Sequence, residues 1–132
     1  MRFVLSVLCV LLLGVALDAK WHNVTVKGFT VCNKARWPNI KVELWERDTV
    51  DPDDLLASVQ SDSEGEFELS GGEDEIGGFQ PFIRIIHTCK VEQEGCHRES
   101  EYDVPKSVFD TTYDMTYVTL DIAVTRDKLV CK

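Results

Sequence analysis

Apolar and polar residues alternate with a period of two along most of this chain once its first residues are passed. Val24, Val26 and Gly28 alternate with Thr25, Lys27 and Phe29, and the pattern runs on to Cys32. Ile40, Val42 and Leu44 alternate in the same way with Lys41, Glu43 and Trp45. A period of two puts successive side chains on opposite faces of a strand, so each run predicts a half-buried β-strand. A weaker strand is expected over 56–60. Gly65 supplies a turn between two strands, with Phe67 and Leu69 pointing to the core. The most apolar run, 82–88, fits a central strand, and a more polar one follows over 98–104. Val118, Leu120, Ile122 and Val124 alternate with Thr119, Asp121 and Ala123, predicting a last strand over 117–124. Residues 51–54 read as a turn, and Gly71-Gly72 and Gly77-Gly78 bracket an acidic loop, Glu73-Asp74-Glu75. No segment holds a helical period over about 12 residues, and only 107–115 has room for a helical turn. About seven short strands separated by turn signals predict an all-β fold, a two-sheet sandwich.

The first residues follow another rule. Arg2 precedes a largely apolar run, 3–13, and then small residues, Gly14-Val15-Ala16. A basic start, an apolar stretch and a small-residue site make a secretory signal peptide, cut after Ala16 or Ala19. The run is shorter than the roughly 20 residues a bilayer requires. One mature domain, 20–132, is expected, with no transmembrane segment. Five cysteines are present. Cys9 leaves with the leader, and Cys32, Cys89, Cys96 and Cys131 then enter an oxidising compartment, where thiols pair. The expected location is secreted and extracellular, with two disulfides. Four cysteines allow three connectivities, and Cys89 and Cys96 flank a loop short enough for a local bridge.

Fourteen Lys and Arg against 23 Asp and Glu give a formal net charge of −9. Nucleic-acid binding is excluded on this balance, because neutralising phosphates takes clustered cations. The segment that breaks the acidic background is the loop after the first strand. Lys34, Arg36 and Lys41 surround Trp37 there. An indole suits a bilayer interface, and each cation near an anionic membrane contributes about 1 kcal/mol. These four residues are the candidate site for anionic lipid headgroups. Trp45, on the outward side of its strand, is the candidate surface for a protein partner. Asn23-Val24-Thr25 is a glycosylation sequon, although its closeness to the first strand could hinder transfer.

Cys89, Cys96 and His97 offer three metal ligands where zinc takes four, so no metal and no cofactor are expected. The stretch from Asp62 to Glu66 lacks the spacing of a calcium loop. Weak calcium contacts, if any, belong to Glu73-Asp74-Glu75 or to the acids of 51–54. His22, His87 and His97 are scattered, and no pattern poises one as a general base.

Val26-Lys27-Gly28, Cys32, Val42-Glu43-Leu44-Trp45-Glu46 and Asp51-Pro52-Asp53-Asp54-Leu55-Leu56 come in a telling order. With Ser61-Asp62, Gly65-Glu66-Phe67, Leu69-Ser70-Gly71 and His87-Thr88-Cys89, they resemble the nematode transthyretin-like family. The resemblance covers 26–124. It implies a secreted, prealbumin-like Greek-key sandwich without catalytic residues. It also implies an extracellular binding role: recognition of phosphatidylserine on apoptotic cells and bridging to a phagocyte receptor. The alternative is a carrier of a small hydrophobic ligand. Enzymatic relatives that hydrolyse 5-hydroxyisourate end in Tyr-Arg-Gly-Ser, whereas this chain ends Leu129-Val130-Cys131-Lys132. In the strand order the resemblance implies, Cys32 and Cys131 close neighbouring strands. The expected bridges are therefore Cys32–Cys131 and Cys89–Cys96.

Overall fold

A computed structural model describes residues 21–74 and 78–132. The expected leader, 1–19, and Glu75 lie outside the described residues. Nine strands are present among the described residues: β1 (Trp21–Cys32), β2 (Ala35–Arg36), β3 (Lys41–Glu46), β4 (Asp54–Gln60), β5 (Glu66–Asp74), β6 (Pro81–His87), β7 (Cys96–Asp103), β8 (Thr112–Thr119) and β9 (Arg126–Cys131). One 3-10 turn, Lys106–Val108, stands where room for a helical turn was read. In sheet 1, β1 pairs antiparallel with β5 and β2 and parallel with β8. Sheet 2 runs β4-β3-β6-β7-β9, antiparallel throughout. β4 packs against β5 where the chain passes between sheets, and β6 returns beside β3. That return is a Greek-key connection spanning the two layers.

The alternation holds along β1, while in β3 and β6 the outward Glu43 and Phe82 are buried as well. Val24, Val26, Thr30 and Cys32 of β1 are buried, and so are Val42 and Leu44 of β3, Phe67 and Leu69 of β5, and Ile83 and Ile85 of β6. These inner faces make one core with Ile40, Val104, Val118 and Leu120. Gly65 has φ +75 at the turn into β5, where an added Cβ would lie 3.0 Å from Thr30 O. The turn therefore requires the residue without one.

Three expectations are corrected. Gly71 to Asp74, read as the opening of an acidic loop, continue β5 and pair with β1 as far as Trp21 opposite Asp74, because the long first strand extends that far to receive them. The strand read over 117–124 ends at Thr119; Leu120 closes it, and β9 begins only at Arg126. Its partner β1 also ends there: Leu120 N–H reaches Val31 O, and among the described residues no strand pairs with 121–125 to continue the ladder. The disulfides are Cys32–Cys89 and Cys96–Cys131, with Cα separations of 5.9 and 4.0 Å, not Cys32–Cys131 and Cys89–Cys96. Cys131 ends β9 at the edge of sheet 2, directly opposite Cys96 in the β7–β9 register. Cys32 ends β1 in the other sheet, out of its reach. Cys89, fully buried just beyond β6, meets Cys32 across the core. One bridge thus ties the sheets together and the other fastens an edge strand.

Candidate interaction surfaces

The basic loop is built from a tight hairpin. Cys32 pairs with Ala35, leaving Asn33 and Lys34 as a two-residue connection with φ of 52° and 63°. Positive φ at both positions is the type I′ geometry that matches strand twist. The Asn33 N–H donates to both carboxylate oxygens of Asp121 at 3.0 Å. Beneath the hairpin, Thr30 is fully buried, with its Oγ1 2.7 Å from Trp37 O, 3.1 Å from Ser61 Oγ and 3.2 Å from Gly65 O. Ser61 Oγ donates to Trp37 O and accepts the Ile40 N–H. These bonds hold the chain from Arg36 to Ile40 against the sandwich end.

This scaffold distributes the four candidate residues over different places. Lys34 is exposed at the hairpin tip. Arg36 lies on the outer face of sheet 1, its guanidinium 4.2 Å from the Phe29 ring centroid and 5.6 Å from that of Tyr117. Its Nη2 donates to Tyr117 Oη at 3.4 Å. Trp37 is half-buried and packs on the core. Lys41 points from the outer face of sheet 2 and sits 3.6 Å from Glu43. Lys34 and Arg36 form the exposed corner; among the described residues neither has an ion-pair partner. Glu66, paired with Phe29 across β1 and β5, is the nearby acid in that register. The aromatic seat of Arg36 depends on Tyr117, which comes from a parallel strand and has no local signal in the sequence.

The outer face of sheet 2 carries a second group. Phe82 is completely buried there because Arg47 stacks on its ring at 4.1 Å, Arg84 lies at 5.5 Å and the Trp45 ring stacks at 6.5 Å. Arg84 also covers Trp45 at 4.6 Å and binds Glu101 at 2.8 Å; Arg47 reaches Glu101 at 3.5 Å. Trp45 Nε1 donates to Glu43 Oε1 at 3.1 Å. Trp45 does face outward, half-covered within this cation–aromatic layer. The Glu99 carboxyl is held below its ordinary pKa although burial opposes this, because His97, Lys128 and Arg84 surround it.

The histidines do not converge. His22 packs beside the Phe79 and Phe109 rings, which touch each other, with Nδ1 3.2 Å from Asp110, and His97 lies 3.0 Å from Glu99. His87 is buried in a polar chain: the Cys89 N–H donates to its Nδ1 at 3.1 Å, and its Nε2 meets Ser100 Oγ at 3.0 Å. Ser100 in turn donates to Asp127 Oδ1 at 3.2 Å. With Nδ1 an acceptor, the ring proton is on Nε2 and points at the serine. The serine proton therefore goes to Asp127, the reverse of what nucleophile activation by a histidine base requires. Burial lowers the His87 pKa, with Arg98 and His97 adding to it against Asp127. Burial raises that of Tyr102.

Asp121 lies beside the sulfurs of Cys32 and Cys89. Those sulfurs are joined as a disulfide, so they offer no thiolate to a metal. In the acidic turn, Asp48 Oδ1 accepts the N–H groups of Val50 and Asp51, and Asp53 Oδ1 accepts that of Asp48. The backbone donors of Val50 and Asp51 depress the Asp48 pKa. On the open side of the sandwich, Tyr102, Tyr113, Met115, Tyr117, Ile122 and Val124 line a shallow groove of about 280 Å3.

Fold and surface together define a disulfide-stapled β-sandwich with a filled core, whose distinctive side chains are spread over outer faces. Comparison with known proteins makes this specific. The sequence profile of the transthyretin-like family matches residues 27–105. Transthyretin-like protein 16 of Caenorhabditis elegans is 48% identical over 128 residues, covering 96% of this chain and 97% of that one. Transthyretin-like protein 46 of the same organism is 35% identical over 91% of this chain and 68% of its own. Transthyretin-like protein 2 is 35% identical over 75% of each. The chain belongs to the transthyretin-like family. A 9R-lipoxygenase from Cyanothece PCC8801 superimposes with a TM-score of 0.47 and 20% identity over 76% of this chain and 16% of that one, and adds nothing to the assignment.

Proposed function

We propose that this protein is a secreted, non-catalytic binding protein that recognises phosphatidylserine on cell surfaces and bridges it to a phagocyte receptor. The observation that carries the lipid half is the Lys34–Arg36 corner. In a chain of net charge −9, two exposed cations lacking carboxylate partners stand on a braced hairpin. A guanidinium seated over Phe29, with one Nη2 N–H given to Tyr117 Oη, has its other N–H donors left for a headgroup phosphate or carboxylate. Trp37 serves this reading by bracing the corner from the core side. Lys41 on the other sheet contributes only to the wider field. The outward layer of Trp45, Arg84 and Arg47 is the surface offered to the receptor, and it faces away from the lipid corner because it belongs to the opposite sheet. Two disulfides support an extracellular location, since such bonds persist in oxidising compartments. Calcium has no part in this reading.

The test is co-sedimentation with vesicles of phosphatidylcholine alone and of phosphatidylcholine with phosphatidylserine, over a salt series. Binding only to the anionic vesicles, falling as salt rises and unchanged by a chelator, is the expected result. Equal binding to both compositions, or none to either, overturns the lipid assignment. The rival reading, carriage of a small hydrophobic ligand, has one foothold in the groove beside Tyr113 and Met115. Its volume falls just below the range of ligand sites, roughly 300–1,000 Å3, and it is open to solvent. Saturable quenching of tyrosine or tryptophan emission by an apolar fluorophore would favour that rival.

A further inference from the structure

The Asn23-Val24-Thr25 sequon occupies a strand, and the strand disposes its side chains in an unusual way. Trp21, Asn23 and Thr25 alternate with buried Val24 and Val26, so all three stand on the outer face of sheet 1. Trp21 is 60% exposed, a large value for an indole that has a sheet to lie on. The backbone of Asn23 is fully engaged: its N–H donates to Asp110 Oδ1 at 3.1 Å, and its carbonyl accepts the Asp110 N–H. On the other edge Asn23 pairs with Gly72. The carboxamide is exposed and has no hydrogen-bond partner among the described residues. It does nothing for the fold.

Gly72 makes the room. A Cβ built there would fall 2.8 Å from Asn23 Cβ and 2.5 Å from His22 O, so no side chain fits across from the asparagine. Beside it, Thr25 Oγ1 and Ser70 Oγ are 2.7 Å apart, two small side chains that leave the surface low. An open strip thus runs beside Asn23, with an indole standing two residues away on the same face, roughly 7 Å along the strand.

We infer that Asn23 carries an N-linked glycan whose first N-acetylglucosamine lies against Trp21. This rests on the reading above that the chain enters the secretory pathway. The sugar donor is a lipid-pyrophosphate oligosaccharide, used by the cell's transferase. The asparagine Nδ2 attacks the anomeric carbon, an N–C bond forms and the C–O bond to pyrophosphate breaks. The lipid pyrophosphate leaves with the electron pair, and the amide proton passes to a base. Transfer precedes folding, because Asn23 can be locked into the sheet only once Gly72, about fifty residues later, has been made. At roughly 5–20 residues per second, that leaves a window of several seconds. After folding, the pyranose C–H face sits on the electron-rich face of the indole, a contact that covers apolar surface otherwise left in water. The glycan then shields the Trp21 end of β1, and the Lys34–Arg36 corner at its other end stays clear.

The experiment uses the full chain expressed in a eukaryotic secretory cell, recovered from medium and lysate and digested with peptide N-glycosidase. The expected result is a mobility shift of the medium form, with Asn23 converted to Asp in the peptide map. N23Q and the isosteric T25V should run unshifted, and T25S should retain the shift. Medium protein with unmodified Asn23 overturns the glycan while leaving secretion standing. Protein confined to the reducing cytosol overturns both. For the stack, the Tm of the glycosylated chain should exceed that of its sugar-free T25V variant in the wild-type and W21F backgrounds but match it in W21A. An equal difference in W21A overturns the contact with Trp21.

Discussion

Replacing Cys32 and Cys89 together by alanine should cost more stability than any other change to the cysteines. The bridge closes a span of 57 residues, and the Cys96–Cys131 bridge one of 35. In the chain-entropy relation these spans correspond to about 4.2 and 3.8 kcal/mol, a difference too small to separate them. Burial separates them. Cys32 and Cys89 are both completely buried within the core, whereas Cys131 is exposed on an edge strand. Removing two buried sulfurs adds a packing loss of about 1 kcal/mol each. C32A/C89A should therefore lose about 6 kcal/mol and C96A/C131A about 4 kcal/mol. The assay is guanidinium unfolding of both variants and the wild type with the remaining bridge verified intact, read as midpoint at constant slope. At about 4 °C per kcal/mol the inner pair should also lower the Tm by roughly 20 °C or more. A larger loss from C96A/C131A, or a peptide map joining Cys32 to Cys131, would refute the reasoning.

F82A should destabilise by about 3–5 kcal/mol, as for a core aromatic, even though Phe82 is on an outer face, because two guanidiniums and an indole bury it; chemical denaturation measures this. T30V removes the hydroxyl that gathers Trp37 O, Ser61 and Gly65 O. It should cost about 1–3 kcal/mol and red-shift Trp37 emission in a W21F/W45F background. His87 has its folded pKa below the ordinary 6.5, so in the window just under 6.5 the unfolded chain binds a proton that the native state refuses. Stability should fall as pH drops from about 6.5 to that folded value and level off below it, and H87Q should lack this component in a pH series of melts.

Much of the fold was legible because alternation is a local signal. Val24 to Cys32 and Ile40 to Trp45 each face the way their period dictates, and the Gly65 turn sits where it was read. What was not legible depends on partners distant in sequence. β8 lies parallel to β1, and no short-range pattern announces a parallel neighbour about ninety residues away. The apolar alternation over 117–124 continued past the end of β1, the ladder that supports it, so one strand was read where a strand end and a turn occur. The disulfides were misread for the same reason: proximity along the chain favoured Cys89–Cys96, whereas sheet assignment decides the partner. Among the candidate site residues, the sequence placed Trp45 outward correctly. It grouped Lys41 with Lys34 and Arg36 because they share a loop, whereas the strand that begins at Lys41 belongs to the other sheet. The run 82–88 was read as one apolar central strand, and nothing in it distinguishes Phe82, buried under arginines on the outer face, from residues buried between the sheets.

The most direct test of the lipid-binding corner compares K34E/R36E with K41E in binding to phosphatidylserine-containing vesicles at low salt. Both variants leave Trp37 and the Thr30 network in place. Two cations at about 1 kcal/mol each correspond to a loss of roughly 30-fold on neutralisation, and more on reversal. Binding by K34E/R36E should drop by at least that factor, while K41E, altered on the opposite sheet, stays within about threefold of the wild type. Equal losses in the two variants, or undiminished binding by a folded K34E/R36E protein, would contradict the account.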